Sequence, residues 1–372
     1  MSRSFGRLLT VAAALLALPA SAGEIRIGLA NPLTGPLAAS GQRNRVAVEL
    51  AIRALNQDGG VLGQPLQLVA VDDACGTDRA AAAALELVEA GVRFAVGHLC
   101  SHSSLMAAPI YEAVGVPMIS PDSTHPRLTE EGRPNVFRLG GRDDEQGRIA
   151  GDWLAARPDA RRVAIVHDES TYGRGLAAKT RARLRRHGVE ELLFAGYTPG
   201  QPDYRDLMEH VRQAGAALLY VGGYGPDAGR IVRSARDLGY GVQLVGGDGL
   251  ATDEFWAAAG PAGNGTVFTA RPDPPAEPLV ESLLAAFEAL GLGRLPTGLG
   301  AYAAVQVWAE AAARSGTVDP STVAETLHRG RFQSVLGPVA FDAKGDLAGA
   351  GWQWQIWNDG SFQPLNGGAE NL

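Results

Sequence analysis

Short clusters of hydroxyl, aromatic and acidic residues stand just after predicted strands in both halves of this 372-residue chain. Hydroxyls and free backbone amides at helix starts can hold an anion, a carboxylate can hold an ammonium group, and aromatic rings can form walls. This combination suits a zwitterionic amino acid. Ordinary helix N-capping is the alternative explanation for the serines, since Ser is common at that position. The candidate residues are Ser101, Asp122, Ser123, Thr124, Tyr172, Tyr224 and Asp248.

The motifs give no positive evidence for catalysis. Residues 172–180 nearly match a nucleotide-binding loop, but Ala178 stands where that loop needs Gly before Lys179, and the same stretch predicts a helix. The chain contains no Gly-x-Ser-x-Gly elbow and no His-Glu-x-x-His zinc helix. We therefore predict that the protein is not an enzyme and uses no cofactor or metal.

The two cysteines, Cys75 and Cys100, allow two interpretations. An even cysteine count in an exported chain predicts a disulfide, and closing a loop of about 25 residues would contribute roughly 3 kcal/mol. A zinc site is the alternative, because His98 and His102 flank Cys100 and two thiolates with two imidazoles can bind zinc.

The elements that must position these residues alternate between strand and helix. Short runs rich in Val, Ile and Leu, such as 66–71, 94–97 and 163–167, are separated by helical patterns such as 43–56 and 173–187. Two such series predict two α/β lobes, each a doubly wound parallel sheet covered by helices on both faces. Open parallel sheets bind ligands beyond the carboxyl ends of their strands, which is where the candidate residues lie.

The N-terminus predicts export. Arg3 and Arg7 precede an uncharged apolar run at 8–18, and a small-x-small cleavage site follows at 20–22. The run is too short to span a bilayer. We therefore expect residues 1–22 to be a signal peptide cut before Gly23. The net charge of −7 argues against nucleic acid or an anionic membrane as the main partner.

Several stretches make a family resemblance visible: VDDAC at 71–75, GHLCS at 97–101, AIVHD at 164–168, YVGGY at 220–224 and GPVAFDAKGDL at 337–347. With these the chain resembles the periplasmic leucine/isoleucine/valine-binding proteins of ABC-type amino-acid importers. The resemblance implies two lobes joined by three crossings, an N-terminal lobe of 23–142 plus 271–349 and a C-terminal lobe of 143–270 plus 350–372. It also implies a Cys75–Cys100 disulfide.

The same resemblance implies roles for the candidate residues. Ser101 and Thr124 would hold the ligand α-carboxylate through hydroxyl and backbone N–H groups. The backbone carbonyl of Asp122, the Thr124 side chain and the Asp248 carboxylate would bind the α-ammonium. The remaining expected ligand contacts are Tyr172 and Tyr224, which would close from the second lobe, and Leu99, Ser123 and Ser40.

The expected function is that of a monomeric periplasmic protein that captures an amino acid and delivers it to an inner-membrane ABC permease. Three departures from the family pattern affect specificity: Asp248 replaces the usual Glu, Asp122 replaces a small apolar residue, and Ser40 replaces an aromatic residue. They predict a roomier and more polar pocket, for a branched-chain amino acid or a larger or more polar relative. An exported sensor of amides or small organic acids, and an exported hydrolase using Asp122 and Asp248, are the alternatives.

Overall fold

A computed structural model describes residues 23–349 and 351–365. The predicted signal peptide and its cleavage point after residue 22, together with 366–372, lie outside the described residues. Two separate, mainly parallel sheets organise the described chain, which confirms the predicted fold class. Each sheet with its covering helices is called a lobe below.

The N-terminal lobe contains a five-stranded sheet within the described residues, in the order β2-β1-β3-β4-β5, with every pair parallel. Apolar strands buried on both faces form its centre, because helices pack on either side. Its first elements are β1 (Ile25–Asn31), α1 (Ala38–Gln57), β2 (Leu66–Asp72), α2 (Thr77–Glu89), β3 (Phe94–Gly97), α3 (Ser101–Ala113), β4 (Met118–Ser120), α4 (Arg127–Glu130) and β5 (Val136–Arg138).

The C-terminal lobe repeats the strand order 2-1-3-4-5 in the next five strands. Its elements are α5 (Asp143–Ala155), β6 (Val163–His167), α6 (Thr171–Arg186), β7 (Leu193–Gly196), α7 (Arg205–Gln213), β8 (Leu218–Gly222), α8 (Gly225–Asp237), β9 (Gln243–Gly246), α9 (Asp253–Ala259) and β10 (Val267–Ala270). A doubly wound sheet of this order has its ligand crevice at the carboxyl ends of the strands.

The rest of the chain returns to the first lobe and then to the second. The segment 271–277 leads to three helices and a small hairpin, and several of their apolar residues join the core of the N-terminal lobe. Two antiparallel strands then extend the sheet of the C-terminal lobe, an addition to the expected parallel arrangement. These elements are α10 (Pro278–Ala289), α11 (Leu299–Ser315), α12 (Pro320–Arg329), β11 (Phe332–Ser334), β12 (Gly337–Val339), β13 (Gln353–Asn358) and β14 (Ser361–Pro364).

Two of the chain segments that pass between the lobes pack on each other. The Trp352 indole Nε1 donates to the Arg142 carbonyl at 3.1 Å. A methyl group at Gly141 would lie 2.6 Å from the Trp352 ring, so this close approach requires glycine. Buried Arg138 and half-buried Arg142 both bind the Asp346 carboxylate, which ties the N-terminal ends of the two segments together.

The cysteines form the Cys75–Cys100 disulfide, which confirms that prediction and makes the zinc interpretation wrong. The neighbouring imidazoles have other partners: His98 Nδ1 lies 2.6 Å from Asp73 Oδ2, and His102 Nε2 lies 2.6 Å from the Cys75 carbonyl. In the part of the chain that the structure describes, no group of three or more His, Cys, Asp or Glu side chains could hold a metal ion. Among the same residues, none of the helices has the length and apolar character needed to cross a membrane.

Candidate functional site

A cavity of about 320 Å³ lies between the two lobes, within the size range of small-molecule sites. Its lining combines residues that follow β3 and β4 of the N-terminal lobe with residues that follow β6, β8 and β9 of the C-terminal lobe. The carboxyl ends of both sheets therefore face one space. The predicted site residues in this lining are Ser40, Leu99, Ser101, Asp122, Thr124, Tyr172, Tyr224 and Asp248.

Ser101 and Thr124 provide the hydroxyl-rich side of the cavity. Ser101 is the first residue of α3, after the N-cap Cys100, and its hydroxyl accepts a long 3.3 Å hydrogen bond from the His125 backbone rather than capping the helix. The N-capping explanation therefore does not apply to Ser101. The first backbone N–H groups of a helix have no partner within it and favour an anion. Thr124 lies in the loop after β4, so the prediction of a helix start at this residue was wrong.

Asp248 lies just after β9 and is held by groups of its own lobe. Its Oδ1 accepts hydrogen bonds from the Tyr172 hydroxyl at 2.8 Å and from Gln146 Nε2 at 3.0 Å. Gln146 is fixed in turn, because its Oε1 accepts from the Asp248 backbone N–H and from the Thr269 hydroxyl. Among the described residues, Oδ2 of Asp248 has no hydrogen-bond donor, so this oxygen can accept from a ligand.

Burial raises the pKa of Asp248 above its ordinary value, and the nearby Asp122 carboxylate adds to this, while Gln146, Tyr172 and Arg271 oppose it. A cationic group bound at Oδ2 would favour the ionised form. The electrostatics of this side of the cavity therefore suit an ammonium group.

Tyr172 and Tyr224 form an aromatic wall. Their ring centroids are 5.1 Å apart with an interplanar angle of 37°. Burial raises the pKa of Tyr224 well above its ordinary value, and the Ser101 backbone N–H of the opposite lobe partly opposes this rise. Tyr172 and Tyr224 of the C-terminal lobe line the same cavity as Ser101 and Thr124 of the N-terminal lobe.

Two predicted site residues have other partners. Ser123 does not line the cavity: its buried hydroxyl bonds to Ser104 Oγ at 2.7 Å and to the carbonyls of His98 and Leu99 at 3.1 Å. It supports the loop behind the site. Ser40 does line the cavity, but it lies inside α1, which begins five residues before the predicted start, and it donates to Glu254 of the C-terminal lobe.

Several polar residues near the cavity were not predicted, among them Asn44, Asp143, Gln146 and Arg271. Asn44 and Arg271 line the cavity, whereas Gln146 acts through Asp248. Asp143 and Gln146 lie in the first turn of α5, just after the chain passes from one lobe to the other. A carboxylate and an amide at that position could have been recognised as candidate site residues. Asn44 in a helix and Arg271 at the start of a Pro-rich segment carried no such signal.

Asp143 is fully buried beside the site. Burial raises its pKa well above the ordinary value, the Asp248 carboxylate adds to this, and the Thr124 hydroxyl and Arg138 oppose it. Neither carboxylate oxygen makes a hydrogen bond of good geometry in the described structure. Its backbone N–H donates to the Thr124 carbonyl at 3.0 Å, which links the start of α5 to the loop after β4.

Two similar α/β lobes that enclose one cavity with polar groups from both define a protein that binds a small solute in an interlobe cleft. A model of the periplasmic binding protein family matches residues 24–360. The chain belongs to that family, which confirms the predicted resemblance and the prediction that it is not an enzyme.

Individual relatives agree with this assignment. A Leu/Ile/Val-binding protein homologue of Brucella melitensis is 36% identical over 356 residues, covering 95% of this chain and 96% of the relative. A leucine-, isoleucine-, valine-, threonine- and alanine-binding protein of Pseudomonas aeruginosa is 37% identical over 330 residues, covering 88% of both. The structure of LivJ from Streptococcus pneumoniae in complex with isoleucine superposes with a TM-score of 0.83 at 26% identity, covering 92% of this chain and 98% of that chain.

Proposed function

We propose that this chain is an exported solute-binding protein that closes around one α-amino acid and presents it, unchanged, to an inner-membrane ABC permease. The observation that supports this most directly is that Ser101 and Thr124 of one lobe face the same cavity as Tyr172, Tyr224 and Asp248 of the other. The Pseudomonas relative is named for binding leucine, isoleucine, valine, threonine and alanine, and the Streptococcus structure is a complex with isoleucine.

The proposed pose assigns each end of the zwitterion to one lobe. The α-carboxylate accepts from the free N–H groups at the start of α3 and from the Ser101 and Thr124 hydroxyls. The α-ammonium donates to Oδ2 of Asp248, the oxygen that the described residues leave without a donor. Charge-assisted hydrogen bonds of this kind are about twice as strong as neutral ones, and a closed cleft shields them from water.

Closure follows from the same arrangement. A ligand that contacts both lobes binds the closed form better than the open form, so it shifts the population toward the closed form. Delivery to a permease then requires that the permease recognise the closed pair of lobes. The proposal also includes a signal peptide at 1–22 that is cleaved before Gly23, a periplasmic location for the mature chain, and a monomeric state.

Isothermal titration with the twenty L-amino acids tests the proposal. We expect at least one to bind, and we expect its decarboxylated amine and its deaminated acid each to lose at least a hundredfold in affinity. Equal binding of the deaminated acid would instead support a sensor of organic acids. Recovery of a chemically altered amino acid after incubation would support a hydrolase. The proposal is wrong if none of the twenty binds.

A further inference from the structure

One side of the cavity carries a carboxylate and a guanidinium that face each other without a direct hydrogen bond. The Nη2 atom of Arg271, on the segment after β10, lies 3.8 Å from Oδ1 of Asp122, in the loop after β4. Their side chains remain 27% and 21% exposed, and both residues line the cavity. Each group can therefore bond to a ligand as well as attract the other.

Asp122 is held in place from behind. Its Oδ2 accepts from Asn44 Nδ2 at 2.7 Å, and the same nitrogen donates to Asn31 Oδ1 at 2.9 Å. Asn31 ends β1 and Asn44 lies in α1, so two rigid elements orient the carboxylate. Among the described residues, Oδ1 of Asp122 receives no hydrogen bond. One oxygen is thus used for positioning, and the other is available to a donor.

Arg271 is held in a similar way. Its Nη1 donates to the Pro121 carbonyl at 3.2 Å, and a methyl group at Gly300 would lie 3.0 Å from the same nitrogen. The guanidinium therefore rests on the backbone of Pro121 and Gly300. It carries five N–H donors, and the described residues supply one acceptor within hydrogen-bond distance. Donors remain for a ligand acceptor.

We propose that Asp122 and Arg271 form the side-chain subsite of the cleft and select an amino acid with a carboxamide side chain, glutamine or asparagine. A primary amide presents a carbonyl oxygen and an NH2 group side by side. The oxygen accepts from Arg271, and the NH2 donates to Oδ1 of Asp122. This inference rests on the proposed function, because it requires the α-carboxylate and α-ammonium to be bound as described above.

The charges at this subsite argue against the other side-chain classes. Asp122 and Arg271 compensate each other, so a cationic side chain would meet the guanidinium and an anionic one would meet Asp122, with Asp248 nearby. An aliphatic side chain would remove water from both groups without replacing its hydrogen bonds, which is unfavourable for polar and charged groups. A neutral group with one donor and one acceptor fits without either cost.

Isosteric amino acids provide the test. Asparagine, leucine and aspartate share one shape, and glutamine, homoleucine and glutamate share another. By isothermal titration of the wild-type protein we expect an amide to bind at least tenfold more tightly than the apolar and the anionic member of its set. Tighter binding of leucine or homoleucine, or of threonine over both amides, would overturn the proposal. If no amino acid binds at all, the proposed function itself fails, and the two failures are thereby distinguished.

A double variant tests the residues themselves. Asp122→Ala with Arg271→Leu removes both charges at once, so no unpaired charge remains. We expect amide affinity to fall at least tenfold while leucine affinity is unchanged or higher. The control variant, Glu49→Ala with Arg45→Leu, removes an exposed ion pair on α1 outside the cavity and should leave both affinities unchanged. A parallel loss for amide and leucine in the cavity variant, with folding verified by circular dichroism, would contradict the assignment.

If the double variant does not fold, the single variant Asp122→Asn tests the same role of Asp122 in binding the amide side chain. An Asn at this position can still accept from Asn44, but it presents NH2 to the cavity in place of an oxygen. Amide binding should then fall at least tenfold and leucine binding by less. Equal effects on both would overturn the proposal.

Discussion

Glu254 of the C-terminal lobe accepts two hydrogen bonds from Ser40 of the N-terminal lobe, one from its backbone N–H at 2.7 Å and one from its hydroxyl at 3.0 Å. The neighbouring Asp253 forms a second bridge between α9 and α1, to buried Arg43. These bonds join the lobes at the cleft, beside the cavity that Ser40 lines. Separation of the lobes at this point would break these bonds, so we expect them to favour a closed cleft.

The variant Glu254→Gln tests this role in closure. An amide accepts hydrogen bonds more weakly than a carboxylate, so the closed form should lose stability relative to the open form and apparent affinity should fall. We expect a three- to tenfold loss for the amino acid that binds the wild type most tightly, measured by calorimetry. Small-angle scattering should give a larger radius of gyration for the ligand-free variant.

Glu190→Gln is the matched control for Glu254→Gln, because Glu190 is an exposed acid of the same lobe, outside the cavity lining. It should change neither affinity nor radius. A Glu254→Gln protein that matches the wild type in both measurements would show that this cross-cleft pair does not contribute to closure.

The sequence was sufficient to predict most strands of the two main sheets, though not β5, β10 or β14, and the residues that follow the predicted strands, because period, composition and the geometry of parallel sheets are local properties. Tyr172, Tyr224 and Asp248 reach the cavity for that reason. The antiparallel direction of β13 could not be predicted, since an apolar run carries no sign of strand direction. Helix α12 was not predicted, although the sequence contains a helix-start signal there. Asp319 is a capping residue, and Pro320 is the first residue of the helix.

The contacts between residues distant in the sequence could not be predicted for a different reason. Ser40 and Glu254 are 214 positions apart, and their pairing depends on how the lobes sit together. Arg271 reaches the Pro121 carbonyl across 150 positions in the same way. No periodicity encodes such contacts. The polar character predicted from Asp122 and Ser40 was therefore recognisable, but its organisation with Arg271, Asn44 and Glu254 was not.

Asp143→Asn should change how stability depends on pH. The folded-state pKa of Asp143 is raised, mainly by burial, so its contribution to stability is fully present below the unfolded pKa of about 3.9 and is lost as pH rises through the folded pKa. The Asn variant has no such loss. Relative to the wild type it should gain stability across the pH range from about 4 up to the raised folded-state pKa, by about 1.4 kcal/mol for each unit of pKa elevation.

Urea denaturation of both proteins across that pH range measures the difference. Asp237→Asn, at the exposed end of α8, is the control for the loss of one surface carboxylate and should change the free energy of unfolding little. A difference between Asp143→Asn and the wild type that does not vary with pH would show that the buried carboxyl is not the titrating group.

Removing the disulfide should affect both stability and binding. Cys75 and Cys100 close a loop with a separation of 25 residues, so replacing both by Ser should cost roughly 3 kcal/mol of unfolding free energy. Cys100 is also the N-cap of α3, directly before Ser101, so amino-acid affinity should fall as well. Urea denaturation and titration of the double variant, beside wild-type protein treated with a reductant, measure both effects; a stability loss under about 1 kcal/mol would contradict the expectation.

Asp248 should make amino-acid affinity depend on pH. Its pKa is raised by burial and by Asp122, against the opposing effects of Gln146, Tyr172 and Arg271. It therefore takes up a proton at a higher pH than the ~3.9 of an exposed Asp, and the α-ammonium then loses its charged partner. Affinity should fall as pH is lowered through this raised value, and calorimetry in two buffers of different ionisation enthalpy should detect proton release on binding there. The pKa values of Asp122 and Asp143 are also raised, chiefly by burial, and both residues lie near Asp248. Their titration will broaden the pH dependence of affinity.

The variant Asp248→Asn isolates this group. At pH 7 it should lose more than about 2 kcal/mol of binding free energy, because an ammonium that had a carboxylate partner is left with a neutral amide. Its affinity should also fall less steeply than that of the wild type at acid pH. Asp237→Asn should behave as the wild type in both respects. Unchanged affinity in Asp248→Asn would place the ammonium elsewhere, whereas a large loss with an unaltered pH profile would mean that Asp248 positions Tyr172 and Gln146 rather than binding the ligand charge.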